Sequence, residues 1–187
     1  MEITNEILER VIAGKPVGDI PPCKNGSSNM IEAHLKDTVR VLKQSSRIQV
    51  ELEQDAYGSG GYSSYFDVFC YKSGERSSRV EARMTITDGI TLYLCKLAPV
   101  AVFGAITKTK SKGAASSELL SIGKISTLPK GDWVDFIAEI RSKLEQQGFV
   151  ILEPKALEKE IPFDAKIETN LRNPPFKIFD AFFHWND

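Results

Sequence analysis

Three cysteines, two histidines and one short acidic stretch are the groups in this chain with chemistry to offer. Cys23 is followed by Lys24, and a cation beside a thiol lowers its pKa and favours the nucleophilic thiolate. His34 and His184 are the only imidazoles, so they alone have the pKa of a base for that thiol. Glu51, Glu53 and Asp55 lie close together in sequence, the arrangement from which paired carboxylates do acid–base work. None of these groups is completed by a motif. There is no H-x-x-x-H or H-x-H for a metal, no C-x-x-C, and no G-x-S-x-G for a serine nucleophile. The serines cluster as pairs at 27–28, 63–64, 77–78 and 116–117, which is turn composition. Neither a cofactor nor a metal is implied.

The Gly58-Ser59-Gly60-Gly61-Tyr62 segment would cradle a phosphate only if a helix began after it. The next segment, 65–72, has the residue types of a strand. Cys70 and Cys95 fall among apolar neighbours and read as small buried hydrophobes. A bridge between them is the alternative, and it would need their Cα atoms within about 7 Å.

The elements that must position these groups are set by the hydrophobic period. Ile7, Leu8, Val11 and Ile12 predict a helix over 5–13, with Gly14 as the left-handed residue that ends it. The stretch 15–28 is rich in Pro and Gly and reads as a long loop. Asn29, with Glu32 three residues on, has the form of a capping box. It opens a helix whose stripe is Ile31, Leu35, Val39 and Leu42 and which runs to about Gln44. From 47 to 53 the period becomes two, predicting a half-buried strand with Glu51 and Glu53 on its outer face.

Segments 65–72, 79–87, 90–97 and 99–106 predict an antiparallel meander, with Asp88-Gly89 as a two-residue hairpin turn. The stretch 107–117, with Lys108, Lys110 and Lys112, reads as a basic loop. The stripe Trp133, Phe136, Ile137, Ile140 and Leu144 predicts a helix over 133–147, capped by Asp132 and lying across one face of the sheet. A short strand at 149–152 and a helical turn or two over 154–159 come next. The last segment, 176–185, is apolar on both strand faces and reads as a strand buried on both sides.

The expectation is an α+β fold in one domain over 1–187. It has a helical part over 1–45 and a sheet-plus-helix part over 46–187. The sheet is mainly antiparallel, with about five to seven strands around the meander 65–106. The long amphipathic helix 133–147 packs on one face, and two N-terminal helices cover an edge or that same face.

The chain has 187 residues, and its 24 basic and 25 acidic residues nearly cancel. A nucleic-acid binder would show a basic excess. The acidic start at Glu2, Glu6 and Glu9 is unlike a secretory leader, and no apolar run reaches the roughly 20 residues of a membrane-spanning helix. A soluble, cytoplasmic protein is expected.

The leading functional reading is a non-catalytic protein-binding domain of the immunity or antitoxin type. It would neutralise a basic protein partner through an acidic surface made of Glu51, Glu53, Asp55, Tyr57 and Tyr62. Tyrosine suits such a surface because it offers contact area at little entropic cost. One alternative is a small hydrolase or transferase whose site is assembled from Cys23, His34, Glu51 and His184. Another is a binder of an apolar ligand held between the sheet and the terminal aromatic strand.

Overall fold

The computed structural model describes residues 2–20, 22–24, 26–53, 62–74, 77–112 and 114–186. Its elements are α1 (Asn5–Ile12), α2 (Ser28–Lys43), β1 (Ile48–Leu52), β2 (Tyr62–Ser63), β3 (Tyr65–Lys72), β4 (Ser78–Glu81), β5 (Met84–Cys95) and β6 (Val100–Ser111). They continue with β7 (Ala114–Ser117), α3 (Val134–Gln146), β8 (Val150–Ile151), α4 (Pro154–Leu157), α5 (Ile178–Phe182) and β9 (Trp185–Asn186). The fold is α+β. Among the described residues, seven strands form one sheet in the order β1-β3-β5-β6-β7, with β4 pairing β5 and β8 pairing β6. Every pair in it is antiparallel except β6–β8. β2 and β9 form a separate two-stranded ribbon.

Side chains alternate across a strand, and both faces of this sheet are covered. Val68, Cys70, Leu92, Leu94 and Phe103 point to one face, where α2 brings Leu35 and Leu42 and α3 brings Phe136, Ile140 and Leu144. Tyr65, Tyr93, Cys95 and Val102 point to the other, covered by Leu8 and Val11 of α1 and by Phe179, Phe182 and Phe183 of the C-terminal segment. The two N-terminal helices are therefore sorted onto opposite faces rather than sharing one.

Asp88-Gly89 is not a turn. β5 runs through it, in register with β6 from Thr85↔Lys110 to Leu94↔Ala101. The reversal comes earlier, at Ala82 and Arg83, with φ of 46° and 68° between the paired Glu81 and Met84. That is the two-residue turn with both central φ values positive that hairpins favour, made without glycine at about 1–2 kcal/mol per residue. Unbroken pairing of β5 with β6 along an apolar run outweighs that cost. Gly89 serves packing instead. A β-carbon there would lie 2.5 Å from Cζ of Phe69 and 2.7 Å from the Cys70 carbonyl oxygen, so its missing side chain lets the Phe69 ring lie on the strand. The Asp88 carboxylate accepts from Arg79 at 2.6 Å and from the Thr107 hydroxyl at 2.8 Å.

The expected basic loop at 107–117 is strand over most of its length. β6 extends to Ser111 and β7 pairs back on it from Lys108↔Ser117 to Ser111↔Ala114. The Thr-Lys-Thr-Lys alternation of 107–110 places both lysines on one face, which is a strand pattern. At 176–185 the centre of the expected strand is helix α5, with strand at Trp185–Asn186 and an isolated bridge from Lys177 to Glu160. Its apolar residues recur four apart, Ile178 with Phe182 and Phe179 with Phe183, and Asp180 in the first turn accepts from the Lys177 amide at 2.7 Å. The segment is buried, as expected.

Two caps also differ. α2 starts after Ser27, whose carbonyl accepts from Met30 and Ile31, and Glu32 pairs with Lys36 at 2.7 Å instead of returning to a cap. In α3 the cap position is Trp133, with no side-chain cap bond. Asp132 offers its backbone carbonyl to the Lys72 ammonium. Among the described residues no helix is long and apolar enough to cross a membrane.

Candidate functional site

The strand face carrying Glu51 and Glu53 is electrically filled. Lys108 on β6 reaches across the intervening strands. Its ammonium sits 4.2 Å over the Phe69 ring, bonded to Glu53 and 3.6 Å from Glu51. Its side chain is 6% exposed, so this cation is held by its partners rather than by water. Lys110 bonds both oxygens of Glu51 at 2.9 Å, and the Tyr71 hydroxyl donates to Glu51 at 3.3 Å. Burial alone would raise the Glu51 carboxyl, but Lys110, Lys108 and the Tyr71 hydroxyl together outweigh it and hold the group below the usual carboxylate value. Asp55 and Tyr57 lie outside the described residues.

The same edge opens into a cleft of about 700 Å3. It forms where the first turn of α2, the end of β1, the start of β3, the β2–β9 ribbon and the connection after β5 meet. Tyr62 and Glu53 line it together, joined by Glu32, Asp67 and Lys96. Glu51 lies beside the cleft without lining it. Tyr62 is 46% exposed.

Lys96 is the one cation lining this cleft among the described residues. Its Nζ donates to the Ser63 carbonyl at 2.6 Å and stands 5.5 Å from the Phe66 ring centroid and 5.7 Å from that of Tyr62. Burial lowers its pKa, and the charge of Glu32 opposes that shift. Asp67 accepts from the Thr91 hydroxyl at 2.5 Å. Glu32, Glu53 and Asp67 place three carboxylates in the lining beside this ammonium, with Glu32 also paired to Lys36 and Glu53 to Lys108.

Three of these residues, Glu32, Asp67 and Lys96, are not singled out by sequence reasoning as site residues, although two carry a signal. Lys96 is a lone cation beside the longest apolar run, and Asp67 a lone carboxylate inside an apolar strand. Charges embedded in core strands seldom lie there without a partner or a task. Glu32 reads in sequence only as a capping residue.

The residues of the enzyme reading do not meet in this cleft, since none of Cys23, His34, Glu51 and His184 lines it. Cys23 is buried, and burial pushes its thiol up rather than down, against the effect expected from Lys24. His34 stacks on Phe149 with ring centroids 5.7 Å apart and planes 11° apart. All three cysteines are free and buried. Cys70 pairs with Ile90 and Cys95 with Tyr65, at opposite ends of the β3–β5 ladder. Among the described residues, no group of three or more His, Cys, Asp or Glu is arranged to hold a metal ion. The space between the sheet and the terminal aromatics is filled by the chain itself: Tyr65 stacks on Tyr93 at 4.0 Å, and Phe183 lies 6.1 Å from each.

His184 closes the C-terminal cover. Its carbonyl accepts from the Ser64 amide at 2.9 Å, its amide donates to the Ser64 hydroxyl at 2.9 Å, and its ring Nδ1 lies 3.2 Å from the Asp180 carbonyl. Burial lowers its pKa, so the folded chain protonates it less readily than the unfolded chain does. The unfolded chain takes up the proton at the ordinary value of 6.5. Stability therefore falls as pH drops below that value, until pH passes below the folded value. His184→Gln is expected to flatten this slope. Urea unfolding at about pH 7 and about pH 5.5 should show a smaller loss in the variant than in the parent, and equal losses would remove the assignment.

No protein-family model matches this chain, and no curated protein or solved structure matches it either.

Proposed function

We propose that this chain is a non-catalytic protein-binding domain of the immunity or antitoxin type, which receives a basic side chain of its partner in the cleft beside β1. The observation that carries the reading is the lining of that cleft, where three carboxylates, Glu32, Glu53 and Asp67, stand with Lys96, while Lys36, paired with Glu32, and Lys108, bonded to Glu53, lie outside the lining. A concave site richer in one sign focuses its field, draws the opposite charge and sets specificity. Tyr62, exposed at the rim beside the Lys96 ammonium, supplies an anchor of the kind enriched at interfaces. Of the acidic surface expected from sequence, the part assigned to docking is Glu53 with Tyr62. Glu53 also bonds Lys108, and Glu51 is assigned to holding Lys110, with Lys108 3.6 Å away. Neutralising a toxin by covering its basic site is the physiological use proposed.

A titration of the 15N-labelled protein with acetyl-Arg-Gly-Arg-amide tests the reading. Amide shifts are expected at Glu32, Tyr62, Asp67 and Lys96, weakening as salt is added. Glu32→Lys and Tyr62→Ala change exposed positions, with Glu32 50% and Tyr62 46% exposed. Each is expected to weaken binding about tenfold, equivalent to about 1.4 kcal/mol. Shifts that survive both substitutions would remove the cleft from the proposal. A stronger response to acetyl-Glu-Gly-Glu-amide would mean that Lys96 governs the site and that the partner is not basic.

The cleft volume favours a second reading, a small-molecule binder, since such sites occupy about 300–1,000 Å3. A small molecule retained in native mass spectra, and lost with Tyr62→Ala, would support it.

A further inference from the structure

We propose that the outer edge of β1 is a self-association surface, and that its occupant is β1 of a second copy of this chain, paired antiparallel about Val50.

Hydrogen-bond parity sorts the backbone groups of this strand. The Glu53 amide donates to the Asp67 carbonyl and the Ser73 amide donates to the Arg47 carbonyl. With the β1–β3 register, this makes Arg47, Gln49, Glu51 and Glu53 the residues that bond inward to β3. The backbone N–H and C=O groups of Ile48, Val50 and Leu52 therefore point away from the sheet. Among the described residues no strand pairs with that side.

The far edge of the sheet is treated differently. The outer side of β6 is closed along its length by β7, by the Gly104↔Ile125 bridge and by β8. Open edges are normally protected by lysine, proline, a bulge or a cover, because an unpaired ladder recruits other strands. β1, with sequence Ile-Gln-Val-Glu-Leu, has none of the first three; its one charge, Glu51, is held on the sheet face by Lys110, and Val50 and Leu52 are half-buried. β4 also ends the sheet, but it carries Arg79 and Glu81, both exposed, and closes in a tight turn.

The identity of the occupant comes from the sequence of the edge itself. Outward-bonding residues must meet outward-bonding residues, so the allowed registers differ by steps of two. Centring on Val50 sets Ile48 opposite Leu52 of the second copy, Gln49 opposite its Glu51, and Arg47 opposite its Glu53. Two symmetric Arg–Glu pairs, whose Glu53 also bonds Lys108, then lie on one face with a Gln amide facing each remaining carboxylate, and the apolar row lies on the other face. Slipping by two residues one way opposes Glu51 to its own copy. Slipping the other way sets Leu52 against Ser46. A partner read for its own chemistry would not require this palindrome, whereas a two-fold contact does.

Sedimentation across a micromolar concentration series is expected to show a shift toward twice the monomer mass. In the associated state the amides of Ile48, Val50 and Leu52 should exchange slowly, and they should speed up on dilution. Those of Gln49 and Glu51, bonded to β3, should stay slow throughout. Val50→Pro removes an outward N–H while leaving the inward bonds, and should give a monomer with unchanged circular dichroism. Arg47→Glu, at an exposed position, should weaken association at least tenfold. A monomer at every concentration would overturn the proposal, whether its edge amides exchange fast or are protected by the chain's own residues. So would a dimer that both variants leave intact.

Discussion

Replacing Gly104 by alanine is expected to cost about 3–5 kcal/mol of folding stability, a large share of the roughly 5–15 kcal/mol of a single domain. Gly104 lies in the middle of β6, opposite Thr91. On its other side the 120–127 segment crosses close over the strand, bridging it at Ile125. A β-carbon at 104 would fall inside the contact radius of the Lys124 carbonyl oxygen, with Leu120 Cδ1 2.5 Å away. The near obstacle is backbone, so the whole segment must shift. That shift threatens the Ser126 amide bond to Phe103, the Ala105 amide bond to Thr127 Oγ1 and the Leu120 amide bond to the Tyr93 hydroxyl. Urea unfolding of Gly104→Ala beside Gly123→Ala makes the comparison. Gly123 has open space where its β-carbon would go and should change stability by about 0.5 kcal/mol or less. A loss at 104 as small as that at 123 would contradict the close approach.

Reversing both acids of β1, Glu51→Lys with Glu53→Lys, is expected to lower stability by about 3 kcal/mol or more at low salt, because it leaves the Lys108 ammonium buried without an anion. The partners are partly exposed, 30% for Glu51 and 27% for Glu53, so part of the effect should be screened as salt is raised. Lys108→Met in the reversed background is expected to recover most of the loss. The apolar side chain keeps its seat on Phe69 and removes the unpaired charge. Failure of that rescue would mean that Lys108 is not what the acids serve. Acid pH points the same way. The Glu51 carboxyl is held below its ordinary value of 4.5, so its contribution is present above that value and is lost as pH falls through the folded one. Weak partner binding by the double reversal therefore speaks to docking only when the protein is shown to be folded.

Hydrophobic period survives translation into structure: Tyr65 to Lys72 is a strand end to end, and the stripe Phe136, Ile137, Ile140 and Leu144 is a buried helix face. Each depends only on residues near in sequence. Turn chemistry survives less well. Asp88-Gly89 has the ideal turn composition, yet pairing of β5 with β6 overrides it, and Ala82-Arg83, with no turn composition, makes the reversal. The acids of β1 are legible as a face, but their partners Lys108 and Lys110 lie 55 and 59 positions away, and no local pattern links them. The cleft is harder still. Glu32 comes from α2, Asp67 from β3 and Lys96 from beyond β5, and only the packing of three elements brings them to one place.

The three cysteines, free and enclosed, have a consequence of their own. Cys95 lies under the C-terminal cover, its Sγ donating to the Phe182 carbonyl at 3.3 Å and its thiol pushed up to about 12, while Cys70 lies under the two helices of the other face. A thiol that is neither wet nor ionised reacts with an alkylating reagent only when its surroundings part. The chain thus carries one native gauge beneath each lid of the sheet, able to time their separate departures without any added probe.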